Sequence, residues 1–354
     1  MPLQTTTVGS YPKPEYLHSL LPDWFKDQNC YKPAEYDEAL LAHRTEEIET
    51  AGKRALKEVI DEQIDAGIDV ITDGEIMREN YIYHFCRHIK GIDFKHCNNI
   101  SIRNGACTVS APVFRGKVSP LSAEPWCCKE WETAQALSTV PVKYTLPGPM
   151  TILGTSDIDA PGDYKSLQEV STDIVPIINK EILALVAAGC KYIQVDEPLI
   201  MRRPDIALDY GMDHLMNCFK GVPSDVHKIS HLCCGYPHVL DQVGYPKDKD
   251  GYLNMASKLD NLGLDQISLE DAHRNNCLGL FENFKKTKLI VGVVKIASSR
   301  IETEEEIENR VREILKHLPR EQLILAPDCG LGFLVDKNIR LQKLKNMVAV
   351  AKKL

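Results

Sequence analysis

The stretch EILALVAAGCKYIQVDEP, residues 181–198, carries the pattern that decides the fold. Its first half reads as an amphipathic helix that ends at Gly189, and glycine commonly closes helices in a left-handed conformation. The apolar run YIQV follows and stops at the acids Asp196 and Glu197. A short apolar run without regular alternation is typical of a parallel strand, which is buried on both faces. The stretch therefore predicts a helix and then a parallel strand whose carboxyl end carries acids.

Two further segments repeat this order of helix, glycine, strand and acid: ALKEVIDEQIDAGIDVITDGE at 55–75 and MASKLDNLGLDQISLED at 255–271. The chain offers eight strand candidates in all: TTTV (5–8), IDVIT (68–72), PVKYTL (141–146), YIQVD (192–196), VHKISH (226–231), LDQISL (264–269), LIVGVV (289–294) and LILAP (323–327). Helical patterns lie between most of them, so a closed (β/α)8 TIM barrel is the economical arrangement. We expect residues 1–354 to form one such α/β domain.

The stretch from about residue 85 to 135 interrupts this alternation. Its β-rich runs lie on either side of Asn104-Gly105, a dipeptide that favours a tight hairpin turn. We predict a β-hairpin inserted after the second barrel strand. Cys97 and Cys107 flank the turn and could lie opposite one another, where a structural role is favoured over a redox one.

The composition excludes several classes of function. The net charge is −8 and the basic residues are scattered, which argues against nucleic acid or a membrane surface as a partner and favours a small substrate. The N-terminus has no signal-peptide pattern, and no stretch approaches the ~18 apolar residues that span a bilayer. We therefore expect a cytoplasmic protein whose 12 cysteines are mostly free thiols.

Residues with metal-binding side chains stand at the ends of three predicted strands: His231, Cys233, Glu270 and Cys329. The carboxyl ends of all strands in such a barrel open at one mouth, so residues far apart in sequence can meet there. Residues two apart on a strand point to the same side, so His231 and Cys233 can face one point while Cys234 points away. Two thiolates, one imidazole and one carboxylate suit Zn(II). The pattern predicts a catalytic zinc site.

Simpler explanations apply to several of these residues. A chance HxC is unremarkable in a chain with 12 Cys and 11 His. An acid at a strand-to-helix turn often caps the helix, and we favour metal ligation for Glu270 and capping for Asp271. Other cysteines are interpreted as packing residues: Cys30, Cys190, Cys218 and Cys277. His238 and His273 are interpreted as loop histidines.

Two more acids, Glu75 and Asp196, also stand at predicted strand ends. They are not needed as ligands if the four residues above complete the metal site. Their better use is to bind a cationic group of the substrate, such as the ammonium of an amino acid.

These motifs resemble those of the cobalamin-independent methionine synthase family, zinc methyltransferases within the uroporphyrinogen-decarboxylase-like barrels. The matching motifs are, in order, VGSYP (8–12), DGE (73–75), LPGPMTIL (146–153), IQVDEP (193–198), HLC (231–233), Glu270 and APDCGLG (326–332). The resemblance runs end to end over the catalytic barrel and lacks the extra N-terminal domain of full-length synthases. It implies a zinc ion bound by His231, Cys233, Glu270 and Cys329. This ion would activate the thiol of the acceptor, which by default is homocysteine, for conversion to methionine.

The resemblance also assigns substrate residues. Ser10 lies in the segment that holds the carboxylate of the thiol amino acid, and Glu75 and Asp196 match acids that contact its amino group. The family's proton-transfer histidine, in a motif of the form YDIHS, is replaced: this chain reads VVKIASS, with Ala297 at that position and Lys295 where an acid is usual. The catalytic residue that protonates the leaving group is therefore unassigned.

This departure, together with the missing N-terminal domain, favours an alkyl donor other than a folate: a methylated corrinoid, presented by a corrinoid protein, an activated methyl compound or an epoxide. Lys295 or Arg300 could hold an anionic group of the substrates, or be solvated surface charge. Alkyl transfer to another thiol of the coenzyme M type and a non-catalytic zinc- or thiol-binding barrel stay open. A metal-free decarboxylase of this barrel group would have no use for two strand-end cysteines beside a histidine.

Overall fold

The structure is a computed structural model that describes residues 2–20, 34–35, 46–102, 107–159, 162–235, 239–241 and 250–354. The strands in these ranges are β1 (Gln4–Thr5), β2 (Ile71–Thr72), β3 (Ile89–Ile102), β4 (Cys107–Pro120), β5 (Val142–Pro147), β6 (Asp157–Ile158), β7 (Tyr192–Asp196), β8 (His227–His231), β9 (Gln266–Leu269), β10 (Lys288–Val294) and β11 (Leu323–Pro327).

Eight of these strands form the central sheet, in the order β1, β11, β10, β9, β8, β7, β5, β2. Every pairing between them is parallel. A parallel bridge between Thr6 and Val70 joins the two ends of this order, and the N–H of Val70 donates to the carbonyl of Thr5 at 3.1 Å. The sheet therefore closes as a barrel, and the eight strands predicted from the sequence are the eight that form it.

Helices surround the sheet. Within the described ranges they are Glu15–His18, Glu46–Ala66, Tyr81–Cys86, Cys127–Ala136, Pro149–Leu153, Leu167–Ala188, Leu199–Arg202, Pro204–Ile206, Met212–Cys218, Gly251–Asp260, Glu304–Ile314 and Lys337–Lys353. A π-helical turn spans Ala207–Gly211, and 3-10 turns span Leu278–Asn283 and Arg320–Gln322. In the same ranges, no helix is both long and apolar enough to cross a membrane.

The helix Leu167–Ala188 shows how the sequence sets these elements. The Ser166 side chain accepts the N–H of Glu169 at 3.2 Å and caps the start, and Gly189, at φ +103, closes the end as predicted. Apolar residues three or four apart form its buried face: Val170, Ile174, Ile178, Ile182 and Leu185. Strand β7 follows this helix closely and ends at Asp196.

The predicted hairpin is confirmed. Strands β3 and β4 are antiparallel and lie between the second barrel strand, β2, and the third, β5. Strand β6 adds to β4 in parallel. The turn at Asn104-Gly105 lies outside the described residues.

The cysteines of the chain are free thiols wherever they are described, as expected. Three expectations about individual residues need comment. Cys107 pairs with Ile102, and Cys97 falls where the register shifts between Asp93 and Asn98, so the two cysteines do not oppose one another. Cys190 and Cys218 are buried as expected, but Cys277 is exposed, so a packing role for it is wrong. Cys30 and His238 lie outside the described residues.

Candidate metal and substrate site

Three of the four predicted metal ligands meet at the mouth of the barrel. His231 is the last residue of β8, Cys233 lies two residues beyond it, and Cys329 lies two residues beyond β11. Their ligand atoms all lie within 4.8 Å of one another, and all three side chains are buried. Nε2 of His231 is 3.2 Å from Sγ of Cys329. Barrel closure thus brings together residues that are 98 positions apart.

The imidazole of His231 is oriented by a serine that the sequence analysis does not single out. Nδ1 of His231 lies 2.8 Å from Oγ of Ser268, on β9. With the proton on Nδ1 and donated to Ser268, the lone pair of Nε2 faces the sulfurs, and such a bond fixes both tautomer and ring orientation. Ser268 precedes Glu270 by two residues, so strand alternation could have placed it on the same side.

The two thiols and His231 influence one another's protonation. Cys329 donates a hydrogen bond to the sulfur of Cys233, and this bond and the nearby His231 hold the pKa of Cys233 well below its usual range despite burial. The same bond, with burial, raises the pKa of the Cys329 thiol well above its usual range. The surroundings of Cys233 therefore favour its thiolate, the form in which cysteine binds metal.

Glu270, the fourth predicted ligand, stands beside this group rather than in it. It directly follows β9 and is fully buried. Its Oε2 accepts the N–H of Cys234 at 3.0 Å and lies 3.5 Å from Nη1 of Arg274. Electrostatic interactions connect it with both His231 and Cys329. The cation and the amide hold the carboxylate near the sulfurs, and its ligation of a metal stays a prediction.

The three clustered donors fit a zinc ion. One imidazole nitrogen and two sulfurs are the ligand types that Zn(II) favours, and tetrahedral coordination leaves one position for a carboxylate or a substrate atom. Cys234 lies outside the group, as expected from strand alternation, and burial raises the pKa of its thiol to about 12. The site therefore distinguishes between two adjacent cysteines.

The acids Glu75 and Asp196 lie on the other side of the mouth, after β2 and at the end of β7. Asp196 is paired with His231 in the β7–β8 ladder, which joins the acids to the metal group. Burial raises the pKa of Asp196 to about 7, although His231 favours its ionised form. Burial also raises the pKa of Glu75, against the effect of Arg78. The two buried acids interact with one another and with the buried Lys143.

Ser10 lies between these two parts of the site. A Cβ at Gly330 would clash with Oγ of Ser10 and would lie 3.1 Å from its main-chain nitrogen, so the glycine after Cys329 lets the two segments approach closely. A Cβ at Gly9 would likewise come within 2.7 Å of Oε1 of Glu75. The segment Gly9-Ser10 thus lies against both Glu75 and the loop that carries Cys329.

Ala297, at the position of the family histidine, is buried. Its N–H donates to Nε2 of His273 at 3.3 Å, and Nδ1 of His273 lies 2.6 Å from Oδ2 of Asp328. Both ring nitrogens of His273 are used to join the loops after β9, β10 and β11. His273 is therefore a loop histidine, as expected.

Of the two cations considered for an anionic substrate group, Arg300 has a structural partner for its charge, and the main chain of Lys295 is tied to Glu302. Arg300 is exposed and pairs with Glu306 at 3.0 Å. The main-chain N–H of Lys295 donates to Glu302 at 3.1 Å, and Glu302 also pairs with the buried Lys343 at 2.9 Å. Solvated surface charge is the better account of Arg300.

Comparison with known proteins gives the family. Residues 3–353 match the model of the cobalamin-independent synthase catalytic domain. The chain belongs to this family. It is 31% identical over 353 residues to the methionine synthase of Sulfolobus acidocaldarius, covering 98% of this chain and 90% of that protein. It is also 31% identical over 354 residues to a methionine synthase of Saccharolobus islandicus, covering 98% and 93%.

A solved member of the cobalamin-independent synthase family shares the fold. The B12-independent methionine synthase from Shewanella sp. W3-18-1, solved in complex with selenomethionine, superposes with a TM-score of 0.85 at 28% identity. The match covers 100% of this chain and 98% of that one. Both comparisons confirm the resemblance that the motifs indicated.

Proposed function

We propose that this chain is a zinc-dependent S-methyltransferase that methylates the thiol of homocysteine to give methionine. The observation that carries the proposal is the buried group of His231, Cys233 and Cys329 beside two buried acids. The family membership and the relatives named methionine synthase support the reaction. The nitrogen and sulfur donors support zinc as the cofactor.

The metal would be held by His231, Cys233 and Cys329, with Glu270 as the fourth ligand. When bound, zinc supplies the acidity that converts a substrate thiol to a thiolate near neutral pH. Ser268 keeps Nε2 of His231 directed at the sulfurs. Glu270 would complete this donor set, and Arg274 and the N–H of Cys234 would stabilise its charge if a substrate sulfur took its place.

The acceptor would be bound at three points. Glu75 and Asp196 bind its ammonium group, and the segment at Ser10 binds its carboxylate. Fixing the amino acid at this end orders the sulfur for reaction, which removes much of the entropic cost of bringing two substrates together. The sulfur loses its proton and bonds to the methyl carbon as the bond between that carbon and the leaving group breaks, the electron pair departing with the leaving group.

The donor is proposed from the chemistry of the leaving group. Ala297 offers no acid at the usual family position, and both nitrogens of His273 are engaged. A donor whose leaving group departs without prior protonation fits these residues best. Two donors meet this condition: a methylated corrinoid, free or on a corrinoid protein, and an activated methyl compound such as a sulfonium. The leaving group of a methylfolate or of an epoxide is instead a strong base.

We also propose that residues 1–354 act as one domain, since the barrel strands run from residue 4 to residue 327 and the family match from 3 to 353. The cytoplasm is the proposed location, because a site built on reduced thiols works best in a reducing compartment.

The proposal is tested by loading the protein with zinc and screening methyl donors against homocysteine by mass spectrometry. We expect about one zinc per chain, as a single tetrahedral site requires, and methionine from methylcobalamin or S-adenosylmethionine. Methionine from methyltetrahydrofolate would contradict the proposed class of donor. Coenzyme M replaces homocysteine in a parallel series. Methylation of coenzyme M alone would move the activity to another thiol, and thiol binding without turnover with any donor would identify a non-catalytic barrel.

A further inference from the structure

Each of the two acids at the mouth is held through one oxygen by a neutral side chain of a barrel strand. Oγ1 of Thr145, on β5, lies 2.8 Å from Oε1 of Glu75. Nε2 of Gln194, on β7, donates to Oδ1 of Asp196 at 2.7 Å. In the part of the chain that the structure describes, these are the hydrogen bonds that the two carboxylates accept. The second oxygen of each acid is thus available to a ligand.

The direction of the Thr145 hydrogen bond is fixed by Arg78. Nη1 of Arg78 donates to Oγ1 of Thr145 at 3.0 Å and to its carbonyl at 2.9 Å. A guanidinium only donates, so the hydroxyl of Thr145 accepts from Arg78 and must direct its own proton to Glu75. The same guanidinium is buried and packs 4.7 Å from the centre of the Tyr144 ring. The hydroxyl therefore has one orientation.

The backbone of Glu75 is fixed as well. Glu75 has φ +53, an uncommon conformation for a residue with a side chain. Oδ1 of Asp73 accepts its N–H at 2.9 Å, and Oδ2 of Asp73 accepts from Nη2 of Arg78 at 3.1 Å. On the other side, the backbone of Gly9 packs against the carboxylate, since a Cβ there would come within 2.7 Å of Oε1. Strain of this kind persists only where the surroundings determine the conformation, as in a preorganised binding group.

We propose that Thr145 is a positioning residue that presents Glu75 to the primary ammonium group of the acceptor, and that Gln194 does the same for Asp196. A primary ammonium has three N–H donors and can bridge two carboxylates. Arg78 lies 3.9 Å from Oε1 of Glu75 and the buried Lys143 interacts with both acids, but a thiol without an ammonium group would still bury both carboxylates without giving either one a hydrogen-bond donor. The site therefore selects thiols that carry an amino group, an inference that rests on the proposed function.

A merely structural role for Thr145 makes a different prediction. If its hydroxyl only stabilises β5, its loss weakens the binding of every thiol to a similar degree. If it positions Glu75, its loss weakens only thiols with an amino group. The discriminating quantity is the ratio of the Kd values of homocysteine and 4-mercaptobutyrate, which has the same skeleton without the amino group.

The experiment compares the zinc-loaded wild-type chain with Thr145→Val, which removes the hydroxyl at nearly constant shape, and with the rescue variant Thr145→Ser, which keeps it. Calorimetry gives the two Kd values for each protein. Two charge-assisted hydrogen bonds predict that the wild type prefers homocysteine by about 100-fold or more. Losing the support of one acid should reduce this preference about tenfold in Thr145→Val. Thr145→Ser should retain it, and the Kd of 4-mercaptobutyrate and the zinc content should stay unchanged in both variants.

Equal weakening of both thiols in Thr145→Val, or an unchanged preference, would overturn the inference. Should Thr145→Val not fold, Thr145→Ala removes the same hydroxyl and takes its place in the comparison. A wild type that prefers homocysteine but methylates nothing would refute the proposed reaction and leave this test valid. A wild type that methylates homocysteine as readily as 4-mercaptobutyrate would refute the ammonium site alone.

Discussion

The two halves of the mouth are held together in different ways. In the half formed by β8, β9 and β11, the sulfurs and the imidazole contact one another directly, and Ser268 adds one orienting bond. In the half formed by β2, β5 and β7, each acid is pinned by a neutral side chain instead. Side chains that share a proton or a cation are drawn together by it. Two carboxylates instead repel each other, so neighbouring side chains must hold them in place until a cation binds.

The comparison teaches that one site can be preorganised in two ways. Metal ligands converge because a single ion satisfies all of them, so their own chemistry specifies the cluster. The acids converge only because Thr145, Gln194 and Arg78 have been placed around them. Substitution of the predicted metal ligands should therefore weaken metal binding most. Substitution of the side chains around the acids should weaken binding of the ammonium group.

The largest effect is expected from Cys329→Ser, which removes a ligand of the metal half. Loss of a partner of a ligand typically costs 10–100-fold in affinity, so loss of the ligand itself should cost at least about 100-fold in zinc affinity. Competition with a chromophoric chelator measures this. Cys234→Ser is the matched control, because Cys234 lies outside the group and should bind zinc like the wild type. Zinc binding that survives Cys329→Ser would show that the cluster is not the metal site.

The next effect concerns the orienting bond in the same half. Ser268→Ala leaves all ligands in place but frees the imidazole to rotate, which should weaken zinc binding about 10-fold to 100-fold. Ser230→Ala is the control, since Ser230 is a buried serine whose hydroxyl donates to the carbonyl of Val195 instead. Equal zinc affinities for the two variants would mean that Ser268 has no part in orienting His231.

The acid half should respond to pH. Burial raises the pKa of Asp196 to about 7, so its carboxyl is largely protonated below pH 7 and ionised above it. Only the ionised form attracts an ammonium group, so kcat/KM for homocysteine should be about tenfold lower at pH 6 than at pH 8. Asp196→Asn should lower kcat/KM throughout and flatten this part of the profile. A profile that keeps its shape in Asp196→Asn would assign the titration to another group.

The smallest effect is expected outside both halves. Arg300 pairs with Glu306 at the surface, and exposed pairs of this kind contribute no more than about 1 kcal/mol to the free energy of unfolding. Arg300→Ala should therefore leave kcat and both KM values nearly unchanged, as steady-state kinetics can check. A selective rise of the KM of an anionic donor would instead make Arg300 part of the donor site.

The sequence predicts the barrel and the metal half well for a physical reason. Parallel strands are buried on both faces and end at polar residues, so YIQVD and QISLE reveal both their course and their mouth-facing ends. The metal-binding group could be predicted because few residue types other than histidine and cysteine bind zinc, and His231, Cys233 and Cys329 stand at strand ends. Ser268 and Gln194 could have been found too, because each lies two residues before a site acid on the same strand face.

The rest depends on side-chain geometry that no periodicity encodes. Thr145 and Glu75 are 70 positions apart and meet only through their rotamers. Glu270 likewise lies beside Arg274. The sequence does not predict whether its carboxylate pairs with this cation or binds a metal. Cys277 is predicted to be a packing residue but is exposed. The segment around it mixes polar and apolar residues, so its sequence does not indicate whether the cysteine is buried.

The central claim is that His231, Cys233 and Cys329 bind a zinc ion to which the sulfur of homocysteine can also bind. X-ray absorption at the zinc edge tests this directly on zinc-loaded protein with and without homocysteine. We predict that homocysteine adds one sulfur to the zinc and displaces one oxygen ligand, as expected if Glu270 gives up its place. A coordination shell that stays the same in saturating homocysteine would contradict the account.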